Sequence, residues 1–235
     1  MTDSPFTLPP TVRLPQAVVF DMDGLLLDSE RLAMATFQQA CRESGFEPAM
    51  AVYQRCIGST YEATERLMRE GFGAGFPFDA VAARWSAIYD QHIQTQAVAR
   101  KPGAREILQC LTAAEIPMAL ATSTHRRNAE VKLRLAGLDH FFRTTVCGGE
   151  ARRGKPHPDP YLLACERLGT SPADCWALED SMNGTRAALT AGLTVFQVPD
   201  LVHPDPHERR LGQHVVASLL NVIEHLQALM PSAAR

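Results

Sequence analysis

Two carboxylates on alternate residues, in the run Asp21-Met22-Asp23-Gly24, follow directly on the short apolar segment Ala17-Val18-Val19-Phe20. Alternation lets the pair flank one point in space. Asp21 could attack an electrophile or bind a cation, and Asp23 could give and recover a proton where its surroundings raise its pKa. Asp and Gly after a strand are also ordinary turn residues, so the tetrapeptide alone reads equally well as a turn. A calcium-binding loop fails on spacing. Counted from Asp21, Leu26 stands where such a loop needs glycine and Leu32 where it needs a bidentate Glu.

Glu179-Asp180 supplies further carboxylates at the end of another apolar run, Trp176-Ala177-Leu178. Hard oxygen ligands suit a magnesium ion that keeps waters and bridges to a phosphate. Asp180-Ser181 alone reads as a helix cap, and convergence with Asp21 and Asp23 favours the metal. Lys155 lies in Gly154-Lys155-Pro156-His157-Pro158-Asp159-Pro160, a proline-braced turn that holds one ammonium just before a helix. Only three of the 23 cationic residues are lysines, at 101, 132 and 155, so a charge-stabilising amine has few candidates. Thr122 reads either as an N-cap or as an oxyanion donor. Gly149-x4-Gly154-Lys155 approaches a P-loop, but Pro156 offers neither the hydroxyl that holds magnesium nor an N–H for a phosphate.

These residues need a scaffold that brings distant segments together. Apolar runs end at polar groups five times: at Asp21, at Thr122 after Met118-Ala119-Leu120-Ala121, at Gly148 after Thr145-Val146-Cys147, at Glu179, and at Pro199 after Val195-Phe196-Gln197-Val198. Helix-like stretches lie between them over 105–114, 127–136, 160–168 and 181–191, the last three closed by Gly137, Gly169 and Gly192. This alternation predicts an α/β fold with a doubly wound, Rossmann-like parallel sheet, whose ligands bind beyond the carboxyl ends of the strands. Residues 31–98 break the rhythm. They predict successive helices over 30–44, 60–70 and 79–93, an α-helical insert after the first strand. The expected organisation is a core over 16–30 and 99–235, a helical cap over 31–98, and an extended N-terminal arm over 1–15, which holds four prolines. A C-terminal helix is predicted over 215–230, with apolar spacing suited to covering one sheet face.

The chain has 235 residues, 46% hydrophobic and 21% charged, enough to bury a full core without staples. A net charge of -3 without a basic run argues against a nucleic acid polymer as partner and leaves a small anionic substrate open. Six cysteines show no CxxC pair and are expected to be reduced and buried. No stretch approaches the roughly 20 apolar residues of a membrane span, and the expected address is the cytoplasm. His125, Arg126 and Arg127 form a basic cluster at a helix start, where positive charge opposes the helix dipole; an anion-facing role competes with plain solvent exposure.

The run Asp21-Met22-Asp23-Gly24-Leu25-Leu26-Leu27-Asp28-Ser29-Glu30, followed in order by Thr122, Lys155 and Glu179-Asp180, resembles the haloacid dehalogenase superfamily over residues 17 to about 200. The strings around Lys155 and Glu179 look like its β-phosphoglucomutase-like branch, and Leu120-Ala121-Thr122-Ser123 with Asn183-Gly184 also look like the pseudouridine 5'-phosphatase group. The resemblance implies that Asp21 takes the phosphoryl group, Asp23 is general acid and base, and Thr122 and Lys155 hold the transferring oxygens. It further implies that Mg2+ is held by Asp180, Asp21 and the backbone carbonyl of Asp23, with Glu179 as a further candidate.

Both acids and Glu179-Asp180 favour phosphoryl transfer over carbon–halogen cleavage, and residues 31–100 hold no lysine for phosphonatase chemistry. Ala33 stands where mutases of the branch carry His, and their cap lysine is missing, so hydrolysis is favoured over the runner-up, a phosphosugar mutase. The expected enzyme is a monomeric, Mg-dependent phosphatase of small phosphorylated metabolites (sugar, polyol or nucleoside monophosphates). A catalytically idle binding protein is disfavoured by the intact acids. Ser123, Thr60, Tyr61 and Arg31 are the candidates for substrate contact, with cap packing or a solvated face as the alternative for the cap residues.

Overall fold

Strand β1 (Ala17–Phe20) has every residue buried, as a central parallel strand covered on both sides requires. It pairs in parallel with β2 (Met118–His125) and β4 (Cys175–Glu179), with Val18 opposite Met118 and Ala17 opposite Cys175. β3 (Thr144–Gly148), β5 (Thr194–Gln197) and β6 (His214–Val215) complete one parallel sheet in the order β3-β2-β1-β4-β5-β6. The computed structural model describes residues 12–57 and 61–230.

The two faces of the sheet differ in side-chain size. Val18, Phe20, Met118, Leu120, Trp176 and Leu178 point into one core, which takes in α5 (Ala104–Ala113), α6 (Arg126–Ala136) and α9 (Leu219–Leu229). On the other face Ala17, Val19, Ala119, Ala121, Cys175 and Ala177 are small and lie against α7 (Asp159–Leu168) and α8 (Met182–Ala191). The alternation follows from the two-residue period of a strand. Small residues on the second face let those helices approach closely, and both begin at the carboxyl edge of the sheet, where Lys155 and Asp180 are found. The strand order reverses around β1, so the crevice beside its end is where ligands bind in open α/β sheets.

Between β1 and α5 the chain forms α1 (Ser29–Glu43), α2 (Met50–Cys56), α3 (Tyr61–Phe72) and α4 (Phe78–Thr95). They bury their own core, in which the Phe37 ring packs on Tyr53 at 5.0 Å and Trp85 at 5.3 Å. The chain leaves and re-enters the sheet layer side by side: Leu27 bridges Arg100, Asp28 N–H donates to the Ala99 carbonyl, and Lys101 N–H donates to the Leu26 carbonyl.

Two elements depart from expectation. β6 is only two residues long and α9 starts at Leu219 behind Ser218, so the predicted helix over 215–230 gives its first residues to a strand and a turn. Helix α2 is seven residues, too short for a periodic pattern to stand out. The cysteines are free and all but Cys110 are buried, as expected. Among the described residues no helix is long and apolar enough to cross a membrane.

Candidate active site

Asp21 is the first residue past β1, and its N–H is still in the ladder, donating to the Leu178 carbonyl at 3.0 Å. The next turn is closed by Leu26 and Leu27 N–H groups on the Met22 carbonyl and by Gly24 N–H on the Leu27 carbonyl. Met22, Leu25, Leu26 and Leu27 are buried beneath it, so hydrophobic anchors on one side set the two acids on the other. Gly24 has φ +79, and a methyl group built on it would overlap the Asp180 carboxylate. Only glycine allows both the backbone conformation and the approach of Asp180 to the loop.

Lys155 arrives from the turn before α7 and donates to Asp21 Oδ1 and to Glu179 Oε1, each at 2.5 Å. Glu179 is wholly buried. Its Oε1 also accepts from Tyr161 Oη at 2.5 Å, and its Oε2 accepts from Ser181 Oγ at 3.1 Å. Both of its oxygens are therefore engaged in fixing Lys155 and the start of α8. Gly184, in the first turn of α8, packs so closely under this carboxylate that a Cβ there would collide with it. Gly184→Ala is expected to destabilise the fold by roughly 1–3 kcal/mol, as overpacked sites do. The same change should lower turnover at least tenfold by displacing Glu179; denaturant unfolding and phosphate release check both.

Asp21, Glu179 and Asp180 can bring one oxygen each within 4.8 Å of one another. Burial raises the Asp21 carboxyl to about 7, Lys155 opposing and Glu179 and Asp23 adding to the rise. Burial likewise raises Asp180 well above the usual range, with Asp21 and Glu179 adding to it. Burial disfavours the Lys155 ammonium, yet Asp21 and Glu179 keep it charged. Three carboxylates thus share one ammonium, a donor set of hard oxygens short of positive charge. The chemistry of this donor set, hard oxygens of Asp21, Glu179 and Asp180 close together, suits a divalent cation.

Asp23 points to the other side of the loop, into a cavity of about 370 Å³ also lined by Ser123, Glu30, Ala33, Tyr89 and Lys132. Thr124 Oγ1 donates to its Oδ2 at 2.6 Å, and Lys132 Nζ donates to its Oδ1. Burial alone would raise this carboxyl, but Lys132 and Thr124 outweigh it and hold the group below its ordinary range, so the raised pKa expected of a proton donor is not found and Asp23 must take up its proton against Lys132. Thr122 is buried within β2, two residues past the Leu120 that pairs with Phe20, and its Oγ1 accepts from Thr124 N–H at 3.1 Å.

The structure brings together Asp21, Lys155, Glu179 and Asp180, and places Asp23 and Ser123 on one cavity. Tyr61 lines a second chamber, in the helical insert, with its hydroxyl on Asp79 Oδ1 at 3.3 Å. Thr60 lies outside the described residues. Arg31 is drawn aside to Asp28 at 2.7 Å and Asp200 at 3.0 Å, where Lys101 also meets Asp200 at 2.5 Å, a clasp across the two chain crossings. The anion-facing role for the basic cluster is corrected at Arg126. Arg126 is exposed, and its guanidinium is occupied by Glu150 at 2.5 Å, Glu130 and Thr145, pairings that supply the structural benefit that the helix dipole denies. Sequence reasoning missed Lys132, Thr124, Tyr89 and Tyr161. For Lys132 a signal existed, since it occupies the apolar stripe Ala129, Leu133, Ala136 at helical spacing.

A family model described as haloacid dehalogenase-like hydrolase matches residues 18–198. The chain belongs to the haloacid dehalogenase-like hydrolases. It is 35% identical to the probable pseudouridine-5'-phosphatase of Drosophila melanogaster, over 91% of this chain and 90% of that protein. A phosphorylated carbohydrates phosphatase of Thermotoga maritima is 31% identical over 76% of this chain and 82% of that one. Among solved structures, a family hydrolase from Deinococcus radiodurans with bound phosphate and sodium superposes with TM-score 0.76 at 30% identity, covering 94% of this chain and all of that one. With this family and these relatives, the enzyme is a phosphoric monoester hydrolase, a haloacid dehalogenase-like phosphatase.

Proposed function

We propose that this haloacid dehalogenase-like phosphatase is Mg-dependent and hydrolyses small phosphorylated metabolites through a phosphoaspartyl intermediate on Asp21. The observation that carries the reading is the meeting of Asp21 and Lys155 in one buried cluster with Glu179 and Asp180, while Asp23 faces an adjoining cavity from the same turn. Bound Mg2+ would supply positive charge for the phosphoryl oxygens and for the ionised Asp21 and Asp180.

An Asp21 oxygen attacks phosphorus and the bond to the leaving oxygen breaks. That oxygen takes its proton from Asp23. Water then attacks the phosphoaspartate, passing its proton back to Asp23 and freeing Asp21 and inorganic phosphate. Lys155 and Thr122 hold the transferring oxygens, with Glu179 keeping Lys155 in place; a loose phosphoryl transition state is stabilised chiefly by such positioning and charge. Residues 31–98 act as a cap that opens about the paired crossings near 28–31 and 97–102, excluding bulk water when closed.

The leaving group enters the cap chamber of about 550 Å³, which adjoins the Asp23 cavity through Glu30, Ala33 and Tyr89. Tyr53, Tyr61, Phe78 and Trp85 make its wall largely aromatic, and Glu30 is the one charged residue among the described lining. Among the described lining the chamber offers no cation to a second phosphate, which supports hydrolysis over the mutase reading. Sugar, polyol and nucleoside monophosphates tested for phosphate release, with magnesium or with chelator, check the proposal. Magnesium-dependent release from at least one class is expected; isomerised hexose phosphate without net release overturns the reading in favour of a mutase.

A further inference from the structure

Gln197 ends β5 and is wholly buried, an amide directly behind the core residues Val195 and Phe196. Such a group is costly unless it is hydrogen-bonded, and its partners lie on the turn that carries Asp180. The ladder between β4 and β5 ends at the pair Glu179 and Gln197, where Val198 N–H still donates to the Glu179 carbonyl at 2.7 Å. The Asp180 carbonyl follows. Gln197 Nε2 donates to it at 3.3 Å, and also to Met182 Sδ, at the start of α8, at 3.3 Å. One amide thus spans the turn from β4 into α8, from which the Asp180 carboxylate reaches Gly24 and the cluster with Asp21 and Glu179.

Gln213, 7% exposed and just ahead of β6, decides which end of that amide faces Asp180. Its Nε2 donates to Gln197 Oε1 at 3.1 Å and to the Glu208 carbonyl at 2.7 Å. Gln197 therefore turns its oxygen to Gln213 and its nitrogen to Asp180. Packing alone does not select this pair, because Gln213 Oε1 is buried without a partner among the described residues, a cost that apolar side chains of similar volume would avoid.

We propose that Gln197 is a positioning residue for Asp180, and through it for the divalent cation, with Gln213 setting its orientation. The inference rests on the Mg-dependent phosphatase reading and deepens it by extending the support of the cation site to β5 and the segment before β6. Without the Gln197 amide the Asp180 carbonyl loses a buried donor, and the turn that aims the carboxylate is free to shift. Without the Gln213 amide the Gln197 oxygen loses its donor, and the group can reverse to set oxygen against the Asp180 carbonyl. Lys155 keeps Asp21 and Glu179 in either case, so the loss falls on cation affinity.

Calorimetric titration of the enzyme with magnesium chloride reads the site without turnover. Gln197→Met is expected to bind magnesium about tenfold more weakly than wild type, the low end of what outer partners of a metal ligand contribute. Gln213→Met should weaken binding by a smaller factor. In phosphate release, the magnesium concentration that half-activates Gln197→Met should rise in step with the calorimetric change, and excess magnesium should recover most of the turnover lost when magnesium is limiting. A merely structural role would lower the melting temperature in chelator and leave the magnesium titration where wild type has it; that result in folded Gln197→Met overturns the proposal. Should Gln197→Met fail to fold by circular dichroism, Gln213→Met decides alone, and wild-type affinity there overturns it. Failure of the underlying reading is separately visible, as wild-type enzyme that takes up no magnesium in the first titration.

Discussion

Asp21→Asn is expected to remove turnover, by roughly 10⁴-fold or more, the scale on which loss of a covalent nucleophile is felt. An amide nitrogen does not attack phosphorus, and the amide takes one carboxylate away from the cluster with Glu179 and Asp180. The stability of the metal-free protein should move the other way. Burial raises the Asp21 carboxyl from 3.8 to about 7, so the native state binds this proton more tightly than the unfolded chain does. Its ionisation therefore lowers stability progressively as pH rises from about 4 to about 7, and the full penalty stands above that window. Asn carries no such penalty. In chelator, the melting temperature of Asp21→Asn relative to wild type should rise across this window and level off beyond it. Wild-type turnover surviving in the variant would remove Asp21 from the chemistry altogether.

That both acids of this turn were readable from sequence has a local cause. Asp21 and Asp23 lie within one tetrapeptide behind a strand whose apolar run is complete, and Glu179-Asp180 stands in the same relation to β4, so strand ends and carboxylates are read together. Lys155 was legible because prolines fix its turn and lysines are scarce. What the sequence did not show was which side chains outside these motifs meet across segments. Lys132 reaches Asp23 across 109 residues, and an ionisable residue in a helix of mixed character reads as a solvated one until the partner helix is placed. The Thr124 role depends on β2 running on past its apolar stretch to His125, where a register shift against β3 turns the chain. Arg31, a candidate substrate contact, pairs with Asp200 beyond the end of β5, a meeting across 169 residues that the sequence does not display. Short elements such as α2 and β6 owe their existence to packing and pairing more than to their own pattern.

Lys155→Met should produce the second-largest effect, on activity and on folding together. The ammonium is wholly engaged, on Asp21 and Glu179 at 2.5 Å each, and stands over the Tyr161 ring at 5.1 Å. Removing one partner of a buried pair leaves uncompensated charge and destabilises by roughly 3–5 kcal/mol. Turnover should drop by about 10²–10³-fold, the range seen when one donor to a developing oxyanion is lost. Here the sign with pH is informative. With the cation gone, Asp21 and Asp180 face each other and Glu179 without relief, so the Asp21 and Asp180 protons are held more tightly in the native state and stability should fall more steeply with rising pH than in wild type. Magnesium should recover part of that stability above neutral pH and none of it where the carboxyls are protonated, because only the ionised cluster attracts it. Lys155→Arg should not restore either property, since a planar fork cannot occupy the point between Asp21, Glu179 and the Tyr161 ring that an ammonium fills. Thermal unfolding of the three proteins against pH, with magnesium or chelator, checks the scheme. A Lys155→Met protein as stable as wild type at pH 8 without metal would mean that the three carboxylates do not share this ammonium in solution.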